Sequence, residues 1–94
     1  MTYTLIWRNE ARQTLSRLRS ADPTSAKLII AAVRDLATNP YPDTSSQLGQ
    51  SAFRRIKLRD LRITYDVNVE DQTVQIYHVG QLPPLAAANR TRDA

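Results

Sequence analysis

Residues 53–79 read FRRIKLRDLRITYDVNVEDQTVQIYHV, and the period of two in this stretch decides the fold. Leu61, Ile63, Tyr65, Val67 and Val69 alternate with Arg62, Thr64, Asp66 and Asn68, so one side is apolar and the other polar. Before it, Phe53, Ile56 and Leu58 fall among basic residues. After a turn at Glu70-Asp71-Gln72 comes a third β-rich run, Thr73 to Val79. The pattern predicts a three-strand antiparallel meander. Strand side chains alternate faces, so Arg55, Lys57 and Arg59 project together while Ile56 and Leu58 point into the core. A tight turn at Asp60-Leu61 sets Arg59 opposite Arg62, Lys57 opposite Thr64 and Arg55 opposite Asp66. It also sets Ile56 beside Tyr65 and Leu58 beside Ile63, although the turn lacks the glycine usual in a two-residue hairpin. A four-residue loop at 69–72 pairs Val67 with Val74 and Tyr65 with Ile76. Continued without interruption, that register brings Tyr77 beside Thr64 and Lys57 on the open face and sends His78 to the core side near Ile63.

Upstream the period changes. Tyr3 to Trp7 is rich in β-formers and reads as a first strand, buried on both faces. Asn9 stands as the N-cap of a helix whose first turn carries Glu10 and whose apolar face is Ala11, Leu15 and Leu18. Asp22-Pro23 closes that helix and opens the next, with Asp22 as N-cap and Pro23 in the first turn. Ala26, Ile29, Ile30, Val33, Leu36 and Ala37 form a broad apolar stripe that ends at Asn39-Pro40. Two helices joined so closely pack as a hairpin and need a sheet to cover. Residues 40–51 (PYPDTSSQLGQS) read as a turn-rich connection anchored by Leu48. The expected fold is α+β, in the order β-α-α-β-β-β. A mainly antiparallel sheet is covered on one face by the helical hairpin, with a single domain at 1–81 and a weakly ordered tail at 82–94.

The net charge of +4 is not spread evenly. Residues 54–62 (RRIKLRDLR) hold five cations, Arg54, Arg55, Lys57, Arg59 and Arg62, against Asp60 alone, and the rest of the chain is balanced. Such a concentration on one strand pair suits a polyanion. Arginine forks grip phosphate bidentately and a tyrosine ring such as Tyr77 can stack on an unpaired base, which favours RNA over duplex DNA. With no cysteine and one histidine, disulfide frameworks, thiolate zinc sites, cysteine nucleophiles and two-histidine nuclease chemistry are excluded. Glu70-Asp71 is an ordinary turn and Asp66 has a salt partner in Arg55, so neither a metal nor another cofactor is expected. The longest apolar run, Leu28 to Val33, is too short to cross a bilayer, and Met1 to Trp7 lacks the features of a signal peptide. A cytoplasmic protein without membrane contact is expected.

The chain resembles the RelE branch of the RelE/ParE toxins of bacterial type II toxin–antitoxin systems. The likeness rests on the element order, NPYP at 39–42, FRRIKLRDLRITYDV at 53–67 and His78-Val79-Gly80. The resemblance implies a RelE-like, microbial-ribonuclease-type fold and a basic toxin neutralised by a cognate antitoxin that wraps it, with operator DNA bound only through that complex. It also implies a ribosome-dependent mRNA endonuclease that works without a metal, the 2′-hydroxyl attacking the adjacent phosphate. Arg55, Lys57 and Arg62 match its catalytic positions. Arg54, Arg59, Tyr77, Arg90 and Arg92 are further candidates for RNA or ribosome contact, and Arg54, facing away from Arg55, is also a candidate to pair with a helix acid or an antitoxin carboxylate.

The chemistry of the residues fits that reaction. Attack by the 2′-hydroxyl needs a base, an acid for the leaving 5′-oxygen, and positive charge around the phosphorane. Lysine serves as a base where neighbouring cations disfavour its protonated form, whereas arginine does not. Lys57 is therefore expected as the base, with Arg55 and Arg62 stabilising the phosphorane. Family nucleases usually carry an arginine acid and a tyrosine after the glycine, where this chain has Leu82 and Ala88. Arg90, Arg92 and Tyr77 are possible substitutes. A non-nuclease alternative stays open: a gyrase poison, or a weakly active toxin acting mainly as its antitoxin's co-repressor.

Overall fold

In the computed structural model, which describes residues 2–81, the chain runs β1 (Thr4–Trp7), α1 (Asn9–Ala21), α2 (Pro23–Leu36), β2 (Ser45–Gln47), β3 (Phe53–Leu58), β4 (Leu61–Asn68) and β5 (Thr73–Gln81). The five strands form one sheet in the order β1-β5-β4-β3-β2. β1 runs parallel to β5 and the other pairs are antiparallel. Both helices lie on one face. Ala11, Leu15, Ala26, Ile29, Val33 and Leu36 from the helices meet Ile56, Leu61, Ile63, Tyr65, Val74, Ile76 and Val79 from the sheet. The expected α+β architecture is the observed one, with β2 as an additional strand.

Helix boundaries follow from local hydrogen bonding. Asp22 caps α2 as expected: its carboxylate accepts from the Ser25 backbone N–H (3.2 Å) and hydroxyl (2.7 Å). These bonds, with a weaker one from Gln81, hold its carboxyl below the ordinary value of 3.8. Asn9 is not a cap. The cap position of α1 is Arg8, extended at φ −73° and ψ 158°, with no side-chain cap bond. The sheet decides this, because the Arg8 N–H donates to the Ile76 carbonyl and keeps the residue extended. α2 ends at Leu36, three residues before the expected Asn39-Pro40, and the Ala37 N–H completes the last turn on Arg34 and Asp35.

Four strand expectations are corrected. β1 is an edge strand covered on one side only: Leu5 and Trp7 pack on the core while Ile6 is 41% exposed. The connection at 40–51 contains β2, which a polar Ser-Ser-Gln run hid, and Leu48 is half-buried without joining the core. The β3–β4 turn is Arg59-Asp60, so Leu58 pairs with Leu61, Ile56 with Ile63, Lys57 with Arg62 and Arg55 with Thr64. Each β3 residue thus meets a partner two positions earlier than expected, a shift that leaves every side chain on its expected face. Arg59 supplies the positive φ (59°) that tight hairpins need and that glycine usually provides.

The fourth correction is an inserted residue. Val67↔Val74 and Tyr65↔Ile76 pair as expected, but the next partner of Thr64 is His78, followed by Ile63↔Val79 and Arg62↔Gly80. Tyr77 is the extra residue of a β-bulge, which reverses the facing of everything after it. Val79 enters the core and His78 leaves it.

The buried Tyr65 hydroxyl donates to the Pro40 carbonyl at 2.8 Å, tying the loop after α2 to the central strand. Tyr65→Phe leaves that carbonyl unpaired, and urea denaturation should show a loss of about 1–3 kcal/mol with little change in m-value.

Candidate polyanion-binding face

The helices leave the second face of the sheet uncovered, and alternation places Arg55, Lys57, Arg62 and Thr64 on it. Two rows cross the strands. One is Ser46–Arg55–Thr64–His78, the other Lys57–Arg62–Gly80. Strands lie about 4.8 Å apart, so neighbouring members of a row are within reach of one phosphodiester group. Arg59 sits at the hairpin tip beside these rows and not within the strand strip. Among the described residues, Arg55, Lys57, Arg59 and Arg62 make no hydrogen bond or ion pair with a protein side chain. The Arg55 Nε is buried and still without a hydrogen-bond partner. The expected Arg55–Asp66 pair is not formed: Asp66 stands opposite Phe53, and its Oδ2 accepts from the Tyr77 hydroxyl at 3.4 Å.

Tyr77 lies on this face, but not beside Lys57. The bulge carries it toward Phe53, whose ring it meets edge-on at 5.1 Å and 81°, and Arg8 stacks over it at 5.4 Å. Arg8 also donates to Gln75 at 3.0 Å. Beside Tyr77 a cleft of about 450 Å³ opens between it and residues 6–10. Arg54 faces the helical side, as expected. It donates to the Ser45 hydroxyl at 2.9 Å through Nη2 and stacks on Tyr41 at 5.1 Å, and no helix acid pairs with it. Leu82, Ala88, Arg90 and Arg92 lie outside the described residues.

Sequence reasoning missed the position of His78. It is on the open face with its side chain 53% exposed, and Nδ1 lies 3.6 Å from Oε1 of Glu10 at the start of α1. The signal was present in the run Tyr77-His78-Val79-Gly80. An uninterrupted register buries the polar histidine and turns Val79 outward, and one inserted residue reverses both.

Residues 5–81 match the family described as the ParE toxin of type II toxin–antitoxin systems, parDE. The chain belongs to that family, within the RelE/ParE toxins that its motifs resemble. Its structure is similar to the toxin–antitoxin complex RelBE2 from Mycobacterium tuberculosis, with a TM-score of 0.75 and 21% identity over 87% of this chain and 100% of that one. It is also similar to the isolated RelE toxin of E. coli (TM-score 0.74, 20% identity, 98% of this chain and 99% of that one). A third similar structure is the YoeB/ParE toxin from Agrobacterium tumefaciens (TM-score 0.74, 13% identity, 85% and 99%). At these identities the likeness is one of fold. No curated protein matches the chain in sequence. Among the described residues, no helix is long and apolar enough to cross a membrane.

Cations left unpaired among the described residues suit a polyanion, and such binding carries a steep salt dependence. The slope of log affinity against log salt on single-stranded RNA should fall by about 0.7 for each phosphate contact removed. The Arg55→Ala/Arg62→Ala variant therefore binds more weakly and with a shallower slope, at a nearly unchanged urea midpoint. An unchanged slope would place the polyanion elsewhere.

Proposed function

We propose that the protein is a type II toxin that cleaves mRNA on the ribosome and is held inactive by a cognate antitoxin. The observation that carries this reading is the row Lys57–Arg62 beside Arg55, cations with no side-chain partner among the described residues, on the face opposite α1 and α2. In this reading the backbone of single-stranded RNA lies along the face. Lys57 accepts the 2′-hydroxyl proton as that oxygen attacks phosphorus. Arg55 and Arg62 donate to the equatorial oxygens of the phosphorane, where preorganised positive charge lowers the barrier most. The products are a 2′,3′-cyclic phosphate and a free 5′-hydroxyl, and the chemistry needs no metal. Arg59 at the hairpin tip and Arg54 on the helical side of β3 are proposed contacts to ribosomal RNA, and Tyr77 is the proposed platform for a base. RelE of Pyrococcus horikoshii was crystallised with RelB, which supports an antitoxin partner here.

A second reading rests on the family match, whose description is that of ParE. A ParE-like toxin acts on DNA gyrase, and Leu82 and Ala88 replace residues usual in the nucleases. Primer extension separates the two. On ribosome-bound mRNA, purified toxin should give discrete cuts in the A-site codon. Lys57→Ala should slow them by about 100-fold or more at neutral pH without loss of ribosome binding. Intact mRNA at saturating folded toxin would reject the nuclease reading and turn attention to gyrase supercoiling.

A further inference from the structure

The bulge at Tyr77 places the chain's one histidine where the proposed reaction lacks an acid. His78 stands opposite Thr64 in the Arg55 row, on the face of Lys57 and Arg62. Its ring is directed at both ends. Nδ1 faces the Glu10 carboxylate at 3.6 Å. Nε2 lies over Gly80, 3.1 Å from where a Cβ on that residue would stand, so the absent side chain leaves the ring its place. Gly80 is the strand partner of Arg62, which directs Nε2 toward the phosphate the two rows would hold.

Resting on the nuclease reading above, we infer that His78 is the general acid of the cleavage and that Glu10 is its positioning residue. The proton inventory closes. Lys57 takes the proton from the 2′-hydroxyl, the O2′–P bond forms, the P–O5′ bond breaks, and the departing 5′-oxygen takes a proton from Nε2 of the His78 imidazolium. Lys57 ends protonated and His78 neutral, and solvent restores both. Glu10, 3.6 Å from Nδ1, fixes the orientation of the ring, the role a carboxylate plays behind a catalytic histidine. The cleft between Tyr77 and residues 6–10 is lined by Glu10, the residue that faces His78, and has room for the nucleoside on the leaving side.

An acid that protonates a leaving oxygen becomes dispensable when the leaving group needs no proton. Ribosome-bound mRNA is therefore cut with the natural linkage or with sulfur replacing the bridging 5′-oxygen at the cleaved position. His78→Gln should slow cleavage of the natural linkage by about 100-fold or more. With the sulfur linkage it should approach the parent rate. Glu10→Gln should lose about 10-fold on the natural linkage and recover in the same way, consistent with an orienting role. Lys57→Ala should remain slow on both. His78 and Glu10 are exposed, so these variants keep the parent's melting curve. Parent toxin that cuts while His78→Gln cuts equally well, or is equally slow on both linkages, overturns the assignment and leaves the nuclease reading standing. Parent toxin that cuts neither linkage overturns both.

Discussion

The open face depends on the burial of the other side of β4. Leu61, Ile63 and Tyr65 are each at most 1% exposed, covered by α2 and flanked by the neighbouring strands. Side chains that alternate cannot do otherwise than send Arg62, Thr64 and Asp66 to the opposite side. A polar residue moved to the core side of β4 would lose its water without finding a partner, so the hydrophobic effect on one face fixes the cations on the other. The same parity governs β3, where the buried Ile56 keeps Arg55 and Lys57 outward even though its partner differs from the one the turn residues suggested.

The bulge changes what that face can do. In an uninterrupted register it would carry cations, Thr64 and a tyrosine, a surface for holding a phosphate. The extra residue at Tyr77 turns His78 outward, next to Glu10, and leaves Gly80 in the Arg62 row. The parallel edge strand adds to this, because β1 ends beside β5 and delivers the first turn of α1 to the same spot. A carboxylate from a helix start, an imidazole from a bulge and cations from a hairpin thus converge from three sequence-distant segments. The stacked Arg54–Tyr41 pair lies on the other, helical side of β3 from this convergence.

Much of this was legible in the sequence because it rests on periodicity. The helical stripes, the Asp22-Pro23 junction and the alternation of β4 are local patterns backed by strong burial, and they gave the right architecture. The faces of Arg54, Arg55, Lys57 and Arg62 were legible for the same reason, since parity survives a two-residue change of pairing, whereas Arg59 became a turn residue. What local patterns do not carry is less regular. β2 is three polar residues whose strand conformation comes from pairing with β3. Asn9 has the chemistry of a cap, but the hydrogen bond from Arg8 to β5 moves the helix start. The bulge leaves no residue-type signature, because Tyr and His are ordinary strand residues, and only the competition between Val79 and His78 for the core reveals it.

The acid assignment and the geometry of the face both depend on the inserted residue at Tyr77. The single histidine makes the measurement direct, because its ring protons give one unambiguous set of NMR signals. Nuclear Overhauser contacts from that ring to the Gly80 α-protons and the Glu10 side chain, with none to the methyls of Ile63, are the result this account predicts. Contacts to Ile63 and the core, with Val79 exposed, would contradict it.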